Sequence, residues 1–354
     1  MTNTGDNKKG ITVLALTSRG LGLAEKLEDA IEGVRVVLPA ELKDGGLKRI
    51  AASAFNTSGA LVFISAIGIA IRAIAPLIKA KHLDPAVVVV DERARWSISL
   101  LSGHLGGANR LAEEVAKALG STPVITTATD IWGLPCIEDV AKAFSLHVEN
   151  PGMIKAANSA ILNGRKVHIV DRDAGRLKSL KERFGERFRF RKSMPAELPD
   201  GEAVALITSE RVGVAKALQR RTLILRPKEL VAGVGCCRGV ESVDIKGAID
   251  LAMKEAGLSI HSLKSLATAE LKRGEKGLVE LAGELGISID YYGSERLRDV
   301  EYPTSPSRFV EQITGTGGVA EPAALLGAGA RELCLKKIKH KKVTVAIARA
   351  PFTS

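Results

Sequence analysis

Short apolar runs recur along the chain, each bounded by polar or turn-forming residues and separated by stretches with helical spacing. Ile11–Leu16 is the first such run and reads as a buried strand, with Gly20–Ala30 as a helix and Val34–Leu38 as the next strand. Leu61–Ser65 is a third strand, and the chain then turns at Gly68 into an apolar helix. Pro85 introduces Ala86–Val90, whose four consecutive valines leave no polar face. A strand of that kind is buried on both sides, as in a parallel sheet covered by helices. Ser97–Leu101 and Val124–Ile125 are strands on either side of a helix, Arg110–Leu119, closed by Gly120.

The same alternation continues. Asp139–Leu146 and Ile154–Leu162 read as helices, and Val167–Val170, Val204–Ile207 and Thr222–Leu225 as strands. Lys181–Glu202 is charge-rich and carries Pro195 and Pro199, so it reads as a surface excursion or linker. A new unit begins near Pro227: strand Leu230–Val234, helix Ser242–Ala256, helix Leu278–Leu285, strand Ile287–Tyr291, helix Ser307–Thr314, a helix from Pro322 and a last strand Val343–Ala348. Strands alternating with helices specify an α/β class with parallel-type sheets flanked by helices. At 354 residues the chain is long for one core. We divide it into an N-terminal α/β domain (1–130), a central α/β segment (131–227) and a separate C-terminal α/β domain (228–354).

Composition then narrows the function. The formal net charge of +11 favours an anionic partner: nucleic acid, an anionic membrane or a polycarboxylate. Aromatics at 4% are too few for a base-stacking surface, which argues against nucleic acid. The basic run Lys336–Lys342 reads as a solvated face. Leu61–Ile78 is the most apolar window, but Ser65, Gly68, Arg72 and Pro76 break it, so no membrane span is expected. The start is polar and lacks the apolar core of a secretory signal. Cys136, Cys236, Cys237 and Cys334 form no CxxC pair, which predicts neither a zinc site nor a disulfide framework and fits a reducing cytoplasm.

Three glycine-rich turns before helices are the candidate chemistry. In Ser102-Gly103-His104-Leu105-Gly106-Gly107-Ala108-Asn109 the glycines let the backbone approach a ligand, and the following helix start offers free N–H groups to carboxylate or phosphate. The imidazole of His104 suits acid or base work; as a structural alternative it fills the turn while Asn109 caps the helix. Thr127 and Asp130 stand in a polar loop after a strand, where open α/β sheets bind ligands. In the second turn, Gly233-Val234-Gly235-Cys236-Cys237-Arg238-Gly239, the third glycine of a dinucleotide fingerprint arrives one residue late. An anion cradle with Arg238 as a carboxylate clamp fits it better than a nucleotide; an ordinary turn with an exposed arginine fits equally well. The third, Gly315 to Glu321, includes Gly317 and leads into a helix at Pro322. Glu321 is either a general base or a complement to the helix dipole.

FISAIGIAIRAIAPLIKAKHLDPAVVVVDE, ISLLSGHLGGANRLAEEVAKALG and TPVITTATD, followed by AGVGCCRGV, LATAELKRGEKGL and TGTGGVAEPAALL, resemble the cobalt-precorrin-5A hydrolase (CbiG) family along nearly the whole chain. Cys237 stands where that pattern expects Arg or Lys, and Glu138 where it expects Asp. The resemblance implies hydrolysis of the δ-lactone of cobalt-precorrin-5A with release of acetaldehyde, giving cobalt-precorrin-5B. It implies no cofactor, since cobalt is carried by the tetrapyrrole substrate, and a place among the cobalamin-pathway enzymes. It makes His104 and Glu321 the candidate acid–base groups. Ser65, Gly68, Arg72, Ser102, Gly103, Gly106, Gly107, Asn109, Thr127, Asp130, Gly235, Arg238 and Gly317 become candidate substrate contacts, with backbone N–H groups of Gly106 and Gly107 holding an oxyanion or carboxylate. The rival readings are a non-catalytic tetrapyrrole carrier and a nucleotide-dependent methyltransferase or dehydrogenase, against which the broken fingerprint and the missing P-loop argue.

Overall fold

The computed structural model describes residues 10–43, 46–80, 83–104, 106–304 and 317–353. The expected helix at Ser307–Thr314, with Gly315 and Thr316, lies outside them. The chain forms two compact units, Met1–Glu138 and Asp139–Ser354.

The first unit holds one six-stranded sheet: β1 (Ile11–Ala15), β2 (Val34–Val37), β3 (Ala60–Ile64), β4 (Ala86–Val90), β5 (Trp96–Leu101) and β6 (Thr122–Val124), in the order β2-β1-β3-β4-β5-β6. β3 and β4 are buried at every position, as their unbroken apolar sequence requires. Helices α1 (Ser18–Ala30), α2 (Gly46–Thr57), α3 (Ile67–Ile74) and α4 (Ala108–Leu119) accompany the strands, and α5 (Ala128–Ile131) is a short turn of helix after β6. In α4, Leu111, Ala112, Val115 and Ala116 share the buried face, three or four residues apart, and Gly120 ends the helix in the left-handed conformation. β1 to β4 run parallel, but β5 runs antiparallel to β4, and β6 follows β5. That reversal decides which residues can share an edge of the sheet.

The second unit holds two five-stranded sheets. One comprises β7 (Leu146–Val148), β8 (Val167–Asp171), β9 (Arg189–Arg191), β10 (Ala203–Ile207) and β11 (Thr222–Pro227), in the order β7-β11-β10-β8-β9. The other comprises β12 (Leu230–Cys236), β13 (Leu263–Ala269), β14 (Ser288–Tyr292), β15 (Leu333–His340) and β16 (Val343–Arg349), in the order β14-β13-β12-β16-β15. The presumed linker Lys181–Glu202 is instead the end of helix Ala174–Phe184 and edge strand β9, whose Arg191 donates to the buried His168 of β8. The lysine run at 336–342 is part of the β15–β16 hairpin at the sheet edge, where lysines discourage pairing with another chain.

A seam of buried ion pairs joins these two sheets. Arg226, at the end of β11, donates to the Glu149 carboxylate and to the carbonyls of Thr208 and Glu210. Glu149 also accepts from Ser259, which precedes β13. Arg176 bridges Asp171 on β8 and Glu229, just before β12. Burial pushes the Glu149 carboxyl up, but hydrogen bonds and charge from Arg226 outweigh it and leave the group below its usual range. Among the described residues, no helix is long and apolar enough to cross a membrane.

Candidate functional site

β5 and β6 bring the SGHLGGAN turn and the ITTATD loop to one edge of the first sheet. Asn109, in the first turn of α4, is the hub. Its Oδ1 accepts from Ser99 Oγ at 2.7 Å, and its Nδ2 donates to Asp130 Oδ2 at 2.7 Å and to Thr127 Oγ1 at 3.2 Å. His104 Nε2 lies 3.2 Å from Thr129 Oγ1 and 3.4 Å from Asp130 Oδ2. Thus one carboxylate oxygen faces both the Asn109 amide and the imidazole. The His104 side chain retains 15% exposure and that of Asp130 40%, so the pair is oriented yet reachable by water. Asn109 does not cap the helix; Gly107 occupies that position, with φ of 86°.

The glycines of the turn have steric reasons. A Cβ on Gly106 would lie 2.3 Å from Ser102 Cβ, and one on Gly103 would lie 2.6 Å from Asn109 Oδ1. Ser102 holds a φ of 59°, sparsely populated for a residue with a Cβ, and its buried Oγ has no hydrogen-bond partner among the described residues. The Gly107 N–H donates to the His104 carbonyl at 3.1 Å. This corrects the expectation that it holds an oxyanion, because the turn already occupies that donor.

The structure separates other predicted contacts from this cluster. Ser65, Gly68 and Arg72 follow β3 at the carboxyl edge of β1, β3 and β4, where Ser65 N–H donates to Val90 C=O. Since β5 runs the other way, Ser102–Asn109 and Thr127–Asp130 stand at the opposite edge. The two sets therefore do not form one cluster. Arg72 donates to Gly68 C=O within its own helix.

In the second unit, the two C-terminal glycine turns adjoin. A Cβ on Gly235 would lie 3.7 Å from Val319 Cβ, and Gly317 is a part-buried bend just before it. Gly233 has a packing role: a Cβ there would lie 1.9 Å from Ala320 C=O, where the helix Ala320–Ala328 crosses β12. Arg238 is exposed at the turn, beside a Gly239 N–H held by Glu275. Burial raises the Cys236 thiol above its usual range despite the Lys272 charge. Glu321 is 1% exposed, and its Oε1 accepts from Thr304 Oγ1 and the Lys337 N–H. Its other oxygen, Oε2, is buried with no hydrogen-bond partner among the described residues.

Family models described as Cobalamin synthesis G N-terminal, Cobalamin biosynthesis central region and Cobalamin synthesis G C-terminus match residues 49–130, 135–227 and 230–348. A cobalt-precorrin-5A hydrolase of Priestia megaterium is 31% identical over 366 residues, covering 96% of this chain and 95% of that protein. One of Salmonella typhimurium is 32% identical over 354 residues, covering 96% and 97%. The chain belongs to the cobalt-precorrin-5A hydrolase (CbiG) family. A solved structure described as a cobalamin biosynthesis protein G homologue from Sulfolobus solfataricus covers 98% of each chain at 23% identity, with a TM-score of 0.37.

Within this family member, sequence reading found His104, Asn109, Thr127 and Asp130, and the fold unites them. It missed Ser99, and read Thr129 only as part of the polar loop after a strand. Ser99 sits in an apolar run that reads only as strand, and its outward polar position was the one available signal. Among the described residues, no group of three or more His, Cys, Asp or Glu is placed to hold a metal ion.

Proposed function

We propose that this chain opens the ring δ-lactone of cobalt-precorrin-5A and releases acetaldehyde, giving cobalt-precorrin-5B. The observation that carries the proposal is the match to two cobalt-precorrin-5A hydrolases over 96% of the chain, with three family models in succession. Water adds to the lactone carbonyl, and the acyl C–O bond breaks with its electron pair on the ring oxygen. That alkoxide collapses to the aldehyde as its carbon–carbon bond to the macrocycle breaks. The electron pair left on the macrocycle takes a proton. The sequence is redox-neutral and calls for no redox or group-transfer cofactor; cobalt enters with the substrate.

His104 is the acid–base group in this proposal. With the proton on Nε2, which lies 3.2 Å from Thr129 Oγ1 and 3.4 Å from Asp130 Oδ2, Nδ1 is the atom left to accept a proton from water. Asp130, itself held by Asn109, orients the ring and stabilises the imidazolium that forms. The net charge of +11 suits a macrocycle fringed with carboxylates. Four free cysteines suit the reducing cytoplasm in which we place the reaction.

The test is anaerobic incubation of the purified protein with cobalt-precorrin-5A, trapping acetaldehyde and following the tetrapyrrole mass. Acetaldehyde with the matching loss of mass is the expected result. Tight binding with neither change would overturn the hydrolase in favour of a carrier.

A further inference from the structure

The second sheet has a topological switch. After β8 the chain crosses through helix Ala174–Phe184 to β9 on one side, whereas after β10 it crosses to β11 on the other. Where neighbouring parallel strands send their crossovers in opposite directions, their carboxyl ends part and leave a crevice in which open α/β sheets bind ligands. A cavity of about 930 Å³ lies there. Val170–Asp173 from the end of β8 and Leu206–Glu210 from the end of β10 line it, with Lys192–Met194 after β9. Its other wall comes from the third sheet, where β15 begins and β16 ends. None of the glycine-rich turns contributes to it.

The lining has two characters. Val170, Met194, Ile207, Val212, Leu333 and Pro351 supply an apolar wall. Most of its carboxylates are already engaged: Asp171 and Glu229 by Arg176, Glu210 by Arg172, and Asp173 by the N–H of Arg176 that it caps. Glu332 is the exception. The cations are less committed. Lys192 and Arg331 are exposed and, among the described residues, form no ion pair, and Arg172 offers Glu210 only Nη1, with its side chain 82% exposed. The free valences at the mouth are therefore mainly positive, above an apolar interior.

A ligand matching this has an apolar body and peripheral carboxylates. The volume is near the upper end of small-molecule pockets, roughly 300–1,000 Å³, which suits a macrocycle better than a simple organic acid. We propose that the cavity is a binding site for a polycarboxylate tetrapyrrole, with Lys192 and Arg331 pairing its acid side chains. The cavity is lined by the second unit alone, so it is a site other than that of His104 and Asp130; that its ligand belongs with the lactone's chemistry rests on the function proposed above, and the class of ligand rests on the cavity.

The experiment titrates the full chain with uroporphyrin, a fluorescent polycarboxylate porphyrin. Lys192→Glu/Arg331→Glu is compared with Lys26→Glu/Lys48→Glu, which removes the same charge at exposed positions in the first unit. The first pair is expected to weaken porphyrin binding at least tenfold. The second pair should change it no more than twofold. Ala330→Trp, which fills the cavity without altering charge, should also abolish binding. Equal losses in both charge variants, or no loss in the first, would overturn the site. A wild-type protein that binds porphyrin at Lys192 and Arg331 yet releases no acetaldehyde sinks the hydrolase proposal and leaves the cavity standing. Acetaldehyde release with unchanged affinity in the first pair sinks the cavity alone.

Discussion

The polar cluster of the first unit and the ion-pair seam of the second put hydrogen-bonded polar groups to opposite ends. In the seam, Arg226 is 2% exposed and spends its donors on one carboxylate and two carbonyls. In the cluster, His104 and Asp130 stay in contact with solvent, with Asn109 behind the carboxylate. A saturated group holds structure because removing its partner strands a charge in low dielectric. A partly saturated group can do chemistry because an atom is left to exchange a proton with water. Burial and residual valence separate the two.

The comparison breaks most sharply at Arg226 and His104. Arg226→Ala should destabilise the second unit by about 3–5 kcal/mol, since Glu149 and two carbonyls lose their donor. Urea unfolding measures it, and a change below about 1 kcal/mol would show the seam to be dispensable. His104→Ala should do the reverse: acetaldehyde release falls about 10²- to 10⁴-fold while the unfolding midpoint scarcely moves. Wild-type turnover in that variant would remove His104 from the chemistry.

Gly106→Ala probes the frame beneath the cluster. The new Cβ would meet Ser102 at 2.3 Å, so the turn must shift. Overpacking of this kind costs about 1–3 kcal/mol, and thermal unfolding should report it together with a drop in turnover. Stability lost without turnover would mean that the turn supports the fold alone.

The smallest expected effect is a pH dependence in the second unit. His147 stacks on His261 with ring centroids 4.7 Å apart, and burial, with the charges of His261 and Lys228, lowers its pKa to about 4. The folded state thus prefers the neutral ring. Its contribution is complete above about pH 6.5 and is lost as pH falls from there to about 4, because the unfolded chain takes up the proton first. His147→Asn should flatten that part of the wild-type profile, measured as the difference between the two proteins' urea midpoints at pH 7 and pH 4.5. Identical slopes would assign the dependence to other groups.

Much was legible in the sequence because local patterns carry it. The valines at 87–90 demand burial on both faces, the spacing of Leu111, Ala112 and Val115 demands a helix packed on one side, and Gly120 can take the left-handed conformation that ends it. SGHLGGAN was legible as a candidate because glycine turns before helices expose backbone groups, and ITTATD because open α/β sheets bind ligands in polar loops after strands. Periodicity does not encode strand direction or partners. The reversal of β5 moved Ser65, Gly68 and Arg72 to the far edge from His104, and the crossing of helix Ala320–Ala328 over β12 turned Gly233 into a packing position. Packing buried Glu321, in the first turn of its helix, and left its Oε2 without a hydrogen-bond partner among the described residues, which local sequence does not encode. The sequence by itself determined the class of fold and the residues able to do chemistry, since these follow from each side chain and its near neighbours. Which of them meet, and which keep a valence open, was decided by tertiary structure, because both depend on contacts between residues far apart in the chain.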